Sequence, residues 1–342
     1  VTDDGHLWVA EADEAPRRVS VWKTDGTFVR ALYGGVRYGG GGMLDPHDAT
    51  RFYYGPDDYG MEFKVDWQRG TSQLVHVYHR PACEPRARVG SPETPIDAFG
   101  RRYFTNQNNC WLHGTNLIRI WLLCDGRAVE VAMAGRADEW SGFERDEFRA
   151  LFPNPDAKTK IDREFLRNWL FAWSDRDGDG DVQPAEVTLR PIPRTWIVPV
   201  RAEAGLELMF GNGYRLAPDG VDKRGVPLYD MAKATAVFEP KTRGVLQAVG
   251  LGDGWFVSLA GPIGGYRDGR RVWTYPCRWP GQGAQYYDPL DPPAPGLIVG
   301  LTRLAGEPLK LASPDVGPVI AATANNGTIN LITRDGLYVG MV

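Results

Sequence analysis

The chain of 342 residues is 43% hydrophobic and 24% charged, a composition that supports an ordinary folded core and excludes intrinsic disorder. Its net charge of −4, without a long run of Lys or Arg, offers no cationic surface for a phosphate backbone and argues against nucleic acid as a partner. The 41 Gly, 26 Pro, 12 Trp, 14 Tyr and 13 Phe suit many short aromatic strands joined by tight turns rather than a helical bundle. No stretch approaches the roughly 20 apolar residues that a membrane-spanning helix needs.

In chain order, the sequence begins at Val1 inside a strand-forming pattern, with no initiator Met or leader, and ends on strand-like residues 337–342. This reads as an excerpt of a larger polypeptide whose signal segment or further modules lie outside it. Asp-Gly or Asn-Gly pairs then recur at Asp4, Asp25, Asp125, Asp219, Asp253, Asp268, Asn326 and Asp335, each flanked by alternating apolar residues, and each predicts a hairpin. Strands are expected at 7–10, 19–22, 28–32, 63–67, 74–78 and 117–121, and again at 255–259, 272–275, 297–301 and 328–332. The turn spacing groups them into units near 1–35, 43–81, 93–135, 195–240, 244–280 and 296–342, the length of propeller blades. The expected fold is therefore all-β, a β-propeller of about six visible blades, divided as 1–135, an insertion at 136–190, and 191–342.

The first unit carries a more specific pattern. Asp4-Gly5-His6-Leu7-Trp8-Val9-Ala10-Glu11, then Arg18-Val19-Ser20-Val21-Trp22, then Asp25-Gly26-Thr27-Phe28-Val29 resembles one NHL-type propeller repeat, and residues 326–339 repeat it more weakly. The middle units depart from the motif and are similar only in architecture, as in large bacterial proteins with NHL-like propellers. The resemblance implies binding surfaces and, in some relatives, catalysis, and so does not choose a function.

Residues 139–173 break the β pattern. Phe143, Phe148, Leu151 and Phe152, followed by Ile161, Phe165, Trp169 and Trp173 at steps of four, predict two inserted helices. Directly after them, residues 175–186 read D-x-D-x-D-G-x5-E, the spacing of an EF-hand-like calcium loop. Asp175, Asp177 and Asp179 would converge on a hard cation once Gly180 allows the sharp turn. Asp181 would add its backbone carbonyl, Gln183 a side-chain or water-mediated contact, and Glu186 a bidentate carboxylate, with Val182 as apolar anchor. Pro184 and the strand-like residues 187–190 do not continue into an exiting helix, so the loop reads as a structural staple for Ca2+ rather than a sensor. Such a site suits a calcium-rich extracellular or periplasmic setting.

Other candidates are weaker. Tyr53, Tyr54, Asp57 and Tyr59, with Arg51, Phe52 and Asp58, form an aromatic and acidic cluster fit to stack sugar rings and hold hydroxyls, or simply to pack between blades. His76 and His79 belong to one strand and should face opposite sides of it, while His47 and His113 fall in expected loops. Tyr286 and Tyr287 are further stacking candidates in a turn-rich segment, the run from Gly39 to Gly42 is turn chemistry, and Cys110 and Cys124 are the pair best placed to bridge a hairpin. No G-x-S-x-G, H-E-x-x-H or dinucleotide fingerprint is present. Two functions remain: a calcium-stabilised extracellular module that binds a glycan or protein, with no catalysis of its own, or a carbohydrate-active enzyme, a polysaccharide lyase or glycoside hydrolase, with its site at the propeller mouth.

Overall fold

The computed structural model describes residues 5–11, 18–33, 42–54, 59–80, 90–107, 115–153, 160–194, 198–237, 247–259, 263–275, 303–304, 308–310, 317–323 and 328–342. Six antiparallel sheets follow one another along the chain. The first holds β1 (His6–Glu11), β2 (Arg18–Lys23) and β3 (Phe28–Tyr33); the second holds β4 (Met43–Leu44), β5 (Arg51–Tyr54), β6 (Gly60–Asp66) and β7 (Thr71–His79). The third holds β8 (Thr94–Ala98), β9 (Arg101–Thr105), β10 (Leu117–Cys124), β11 (Arg127–Arg136), β12 (Trp169–Ser174) and β13 (Val187–Pro191). The fourth is built from β14 (Val200–Ala202), β15 (Leu208–Phe210), β16 (Tyr214–Leu216) and β17 (Thr235–Ala236), and the fifth from β18 (Gln247–Gly252), β19 (Trp255–Leu259), β20 (Ile263–Arg267) and β21 (Arg270–Tyr275). In the sixth, β22 (Arg303–Leu304) and β23 (Leu309–Lys310) both pair with β24 (Pro318–Thr323), which continues to β25 (Ile329–Thr333) and β26 (Tyr338–Met341).

The apolar clusters show how these sheets are stacked. Tyr53, Tyr78, Phe104 and Trp121 pack between the second and third sheets, and Tyr103, Ile120, Leu170, Val200, Leu208 and Phe210 between the third and fourth. Met209, Phe256 and Tyr266 join the fourth to the fifth, and Val257, Ile263, Ile320 and Ile332 the fifth to the sixth. A sandwich would share one core between two sheets, whereas here, from the second sheet onward, each packs on its successor, which is radial repetition. Burial within a sheet agrees: β14 is buried throughout and β17 exposed, while Ala248 and Val249 of β18 are buried and β21 is mostly exposed. The fold is a β-propeller of six visible blades, and five of the six expected units coincide with a sheet.

The turns explain the regularity. Asp125-Gly126, Asp253-Gly254 and Asp268-Gly269 each place both residues at positive φ, between 48° and 79°, and join β10 to β11, β18 to β19 and β20 to β21. That is the type I′ geometry whose twist matches paired strands. Asp219-Gly220 departs from the expectation of a hairpin. It opens an excursion between β16 and β17, closed on itself by Asp219 N–H to Leu228 O at 2.8 Å. Asp4, Asn326 and Gly327 lie outside the described residues.

The expected pair of helices is corrected. Residues 137–151 form three short 3-10 turns, α1 covers only Arg163–Leu166 behind its Asp162 cap, and Trp169 and Trp173 stand on strand β12. A step of four is also a multiple of the strand period of two, so 169 and 173 share a face in either conformation. Both faces of β12 are covered: Leu170 and Ala172 turn to the fourth blade, and Phe171 and Trp173 turn to the 3-10 layer. There Phe143, fully buried, meets Trp140, Phe148, Phe152 and Phe171 edge-on at centroid distances of 4.8–5.7 Å. The third blade thus gains two outer strands, β12 and β13, joined at their tip by residues 175–186. Among the described residues, no helix is long and apolar enough to cross a membrane.

Candidate metal centre

The acidic loop spans the tip between β12 and β13, so strands, not the two helices of an EF-hand, hold its ends. Antiparallel pairing of Trp173 with Val187 brings positions 1 and 12 of the loop side by side. Asp175, Asp177 and Glu186 converge, each offering a carboxylate oxygen with all three within 4.8 Å of one another. Asp175 and Glu186 are both 4% exposed. Glu186 Oε1 accepts from the backbone N–H of Arg176 at 2.6 Å and of Asp177 at 3.2 Å, and its Oε2 accepts from Trp173 Nε1–H at 2.8 Å. Asp175 Oδ1 accepts from Gly178 N–H at 2.8 Å.

The carboxylates of Asp179 and Asp181 are not part of this trio. Both oxygens of Asp179 are engaged within the loop, accepting from Asp181 N–H at 2.8 Å and from Gln183 Nε2 at 2.7 Å, and both acids are exposed. Gly178 and Gly180 sit at φ 91° and 77°, which the reversal of the loop requires. Among the described residues no ion pair involves Asp175, Asp177 or Glu186, so two buried carboxylates and a third beside them share one corner; the Arg224 guanidinium is close enough to feel the charges of Asp175 and Asp177 without pairing with either. The donor set is oxygen only, the chemistry that suits a hard divalent cation.

The aromatic and histidine candidates do not assemble. Tyr53 and Tyr54 are each 2% exposed, so neither presents a ring face for stacking a sugar. Tyr59 is half-buried, while Asp57, Asp58, His113, Tyr286, Tyr287 and Cys110 lie outside the described residues. His76 and His79 do not face opposite sides as expected: both meet the β10–β11 hairpin, His76 beside Gly126 and His79 edge-on to Trp121 with Nδ1 3.3 Å from Ala128 O. Register shifts in the β6–β7 pairing, at Gly60/Met61 and Glu62/Phe63, break the alternation.

A polar network with no local signature in the sequence closes the seam between the second and third blades. Arg102 clamps Asp97 through Nε at 2.8 Å and Nη2 at 2.7 Å, while its Nη1 pairs with Asp45 and donates to Tyr53 OH at 3.0 Å. Tyr53 OH donates to Asp45 Oδ2 at 2.9 Å, and exposed His47 lies 3.0 Å from Asp97. Burial raises the Asp45 carboxyl, but hydrogen bonds from Arg102, the His47 N–H and Tyr53 outweigh it and hold it below the usual carboxylate range. Arg102 lowers Asp97 likewise, and burial, with Asp45 as acceptor, pushes the Tyr53 phenol up to about 12. Asp45 and Arg102 are 57 residues apart, and no local pattern announces such a pair.

No family model matches the chain, and no curated protein is significantly similar to it. Solved structures that resemble it include a candidate 6-phosphogluconolactonase of Bacteroides fragilis, at 12% identity and TM-score 0.37, covering 99% of this chain and 94% of that one. BamB of Moraxella catarrhalis matches at 11% identity and TM-score 0.36, over 100% and 86% of the two chains. A functionally unknown protein of Desulfotomaculum acetoxidans matches at 11% identity and TM-score 0.41, over 98% and 94%. Likenesses this distant say nothing of activity, and the propeller rests on the six sheets themselves.

Proposed function

We propose that the chain is a calcium-stabilised β-propeller serving as an extracellular or periplasmic binding or scaffold module for a glycan or protein ligand. One observation carries the calcium part: Asp175, Asp177 and Glu186, at positions 1, 3 and 12 of the motif, meet within 4.8 Å, two of them buried and none in an ion pair among the described residues. Like charges in such a corner repel, and a divalent cation turns that repulsion into a staple across the β12–β13 tip. Millimolar calcium outside the cytoplasm saturates even a weak site, which supports the location.

The test is a melt with calcium and with EDTA, beside calorimetric titration. Calcium at 100 times its dissociation constant adds about 2.7 kcal/mol and raises the melting temperature, and Glu186→Gln removes that response. A wild-type melt indifferent to EDTA, with no heat of binding, refutes the reading. For the ligand, a glycan array and a pull-down with defined polysaccharides separate the glycan and protein versions. The enzyme reading, a polysaccharide lyase or glycoside hydrolase at the propeller mouth, has one observation in its favour: exposed His47 is oriented by Asp97, itself clamped by Arg102. Polysaccharide turnover that His47→Ala abolishes would establish it; absence of turnover on a broad panel would reject it.

A further inference from the structure

We infer that Arg224 couples the acidic loop to the neighbouring blade, so that calcium in the loop tightens the 219–229 excursion across the seam between the third and fourth blades; this rests on the calcium reading above. Arg224 leaves the fourth blade between β16 and β17 and reaches the loop of the third. Its Nη2 donates to the backbone carbonyls of Asp175 at 3.0 Å and Arg176 at 2.5 Å, the first two loop positions. Its Nε donates to Asp222 Oδ2 at 2.9 Å, and Asp222 Oδ1 accepts from the N–H groups of Arg224 and Val226, both at 2.9 Å. The guanidinium is therefore fixed at one end by its own turn and at the other by the loop backbone.

Two details make this a strut rather than a competitor for the site. Toward the loop Arg224 donates to carbonyls only, and although its charge is felt by Asp175 and Asp177 it forms no ion pair with Asp175, Asp177 or Glu186, so the converging carboxylate oxygens stay available to a cation. It also lies against Gly178, where any Cβ would collide with the guanidinium, so loop position 4 admits the strut only as glycine. The excursion is anchored independently to the same blade: Tyr229 N–H donates to Ser174 Oγ at 3.0 Å, Tyr103 OH to Gly225 O at 2.8 Å, and Arg101 Nη2 to Lys223 O at 3.0 Å. Among the described residues, Arg224 alone ties it to the loop itself.

In an EF-hand, packed helices hold both ends of the loop. Here strands hold the ends, and Arg224 holds the backbone of positions 1 and 2. A cation that orders those positions lengthens the life of the Arg224 bonds, and by reciprocity Arg224 pre-orders the loop for the cation. The opposing effect is plain repulsion between a guanidinium and Ca2+, and the two effects make opposite predictions for substitutions that keep or remove the charge.

Amide hydrogen exchange and calcium titration calorimetry on the whole chain decide between them. In the wild type, calcium slows exchange at the amides of Arg224, Val226 and Tyr229 by about fivefold or more, the low end of measured couplings. Arg224→Lys and Arg224→Gln both abolish that response and weaken calcium binding by a similar factor, since neither bridges the Asp175 and Arg176 carbonyls. The coupling is overturned if Arg224→Gln binds calcium more tightly while Arg224→Lys is unchanged, because Arg224 then acts as a repelling charge alone. It is equally overturned if calcium protects amides 176–186 but leaves 224–229 untouched, a result that spares the calcium site. Failure of the wild type to bind calcium removes both readings. Should the Arg224 variants not fold, Asp222→Asn carries the test, with weaker calcium binding expected and unchanged binding refuting the strut.

Discussion

Replacing Arg102 with Met probes the charged link between the second and third blades. The substitution keeps most of the side-chain bulk but strands Asp45, which is 5% exposed, and strips Asp97 of two hydrogen bonds. Breaking a fully buried ion pair by removing one partner costs about 3–5 kcal/mol. Arg102 and Asp97 are 21% and 36% exposed, so water recovers part of that. Asp45 also retains Tyr53 OH and the His47 N–H. The expected loss at pH 7 is therefore about 2–3 kcal/mol, or about 3–4 °C in the melting temperature for a chain of this length.

The pH dependence gives the sharper check. Asp45 and Asp97 both have lowered folded-state pKa values, so their contribution is present above the unfolded carboxylate pKa of about 3.9 and is lost as pH falls through the folded values. The deficit of Arg102→Met should accordingly shrink between pH 5 and pH 3, measured by urea unfolding followed through Trp fluorescence. Adding Asp45→Asn should recover part of the loss, because the stranded charge is gone. A deficit that is the same at pH 3 and pH 7, or strict additivity in the double variant, refutes an electrostatic seam.

Phe143→Ala, which empties the centre of the aromatic layer, should cost about 3–5 kcal/mol and flatten the near-UV dichroism, and a loss under about 1 kcal/mol would show that the layer adds little to stability. Gly126→Ala forces a side chain into φ 74° with Asp125 already at 48°, and should cost about 1 kcal/mol in a thermal melt. Two loop glycines should separate in calcium titration. Gly180→Ala meets open space and carries only backbone strain, whereas Gly178→Ala also displaces Arg224 and weakens calcium binding further. Equal effects at the two positions would count against the strut.

Much of this molecule is written locally. An Asp-Gly pair between alternating strands encodes a tight reversal in two residues, and Asp125, Asp253 and Asp268 each build a type I′ hairpin, although Asp219-Gly220 opens an excursion instead. The acidic loop is legible for the same reason: twelve contiguous residues carry its oxygens, and Asp175, Asp177 and Glu186 do meet. Residues 161–173 mislead because a step of four fits either period, and only the fourth blade on one side and the 3-10 layer on the other make β12 a strand. The same holds for Tyr53 and Tyr54, whose composition suits an exposed platform until blade packing buries them. Arg102 with Asp45, and Arg224 with the Asp175 carbonyl, join residues 57 and 49 positions apart. Such pairs leave no periodic trace, because their partners become neighbours only when whole blades come to rest against each other, and that geometry belongs to the folded chain.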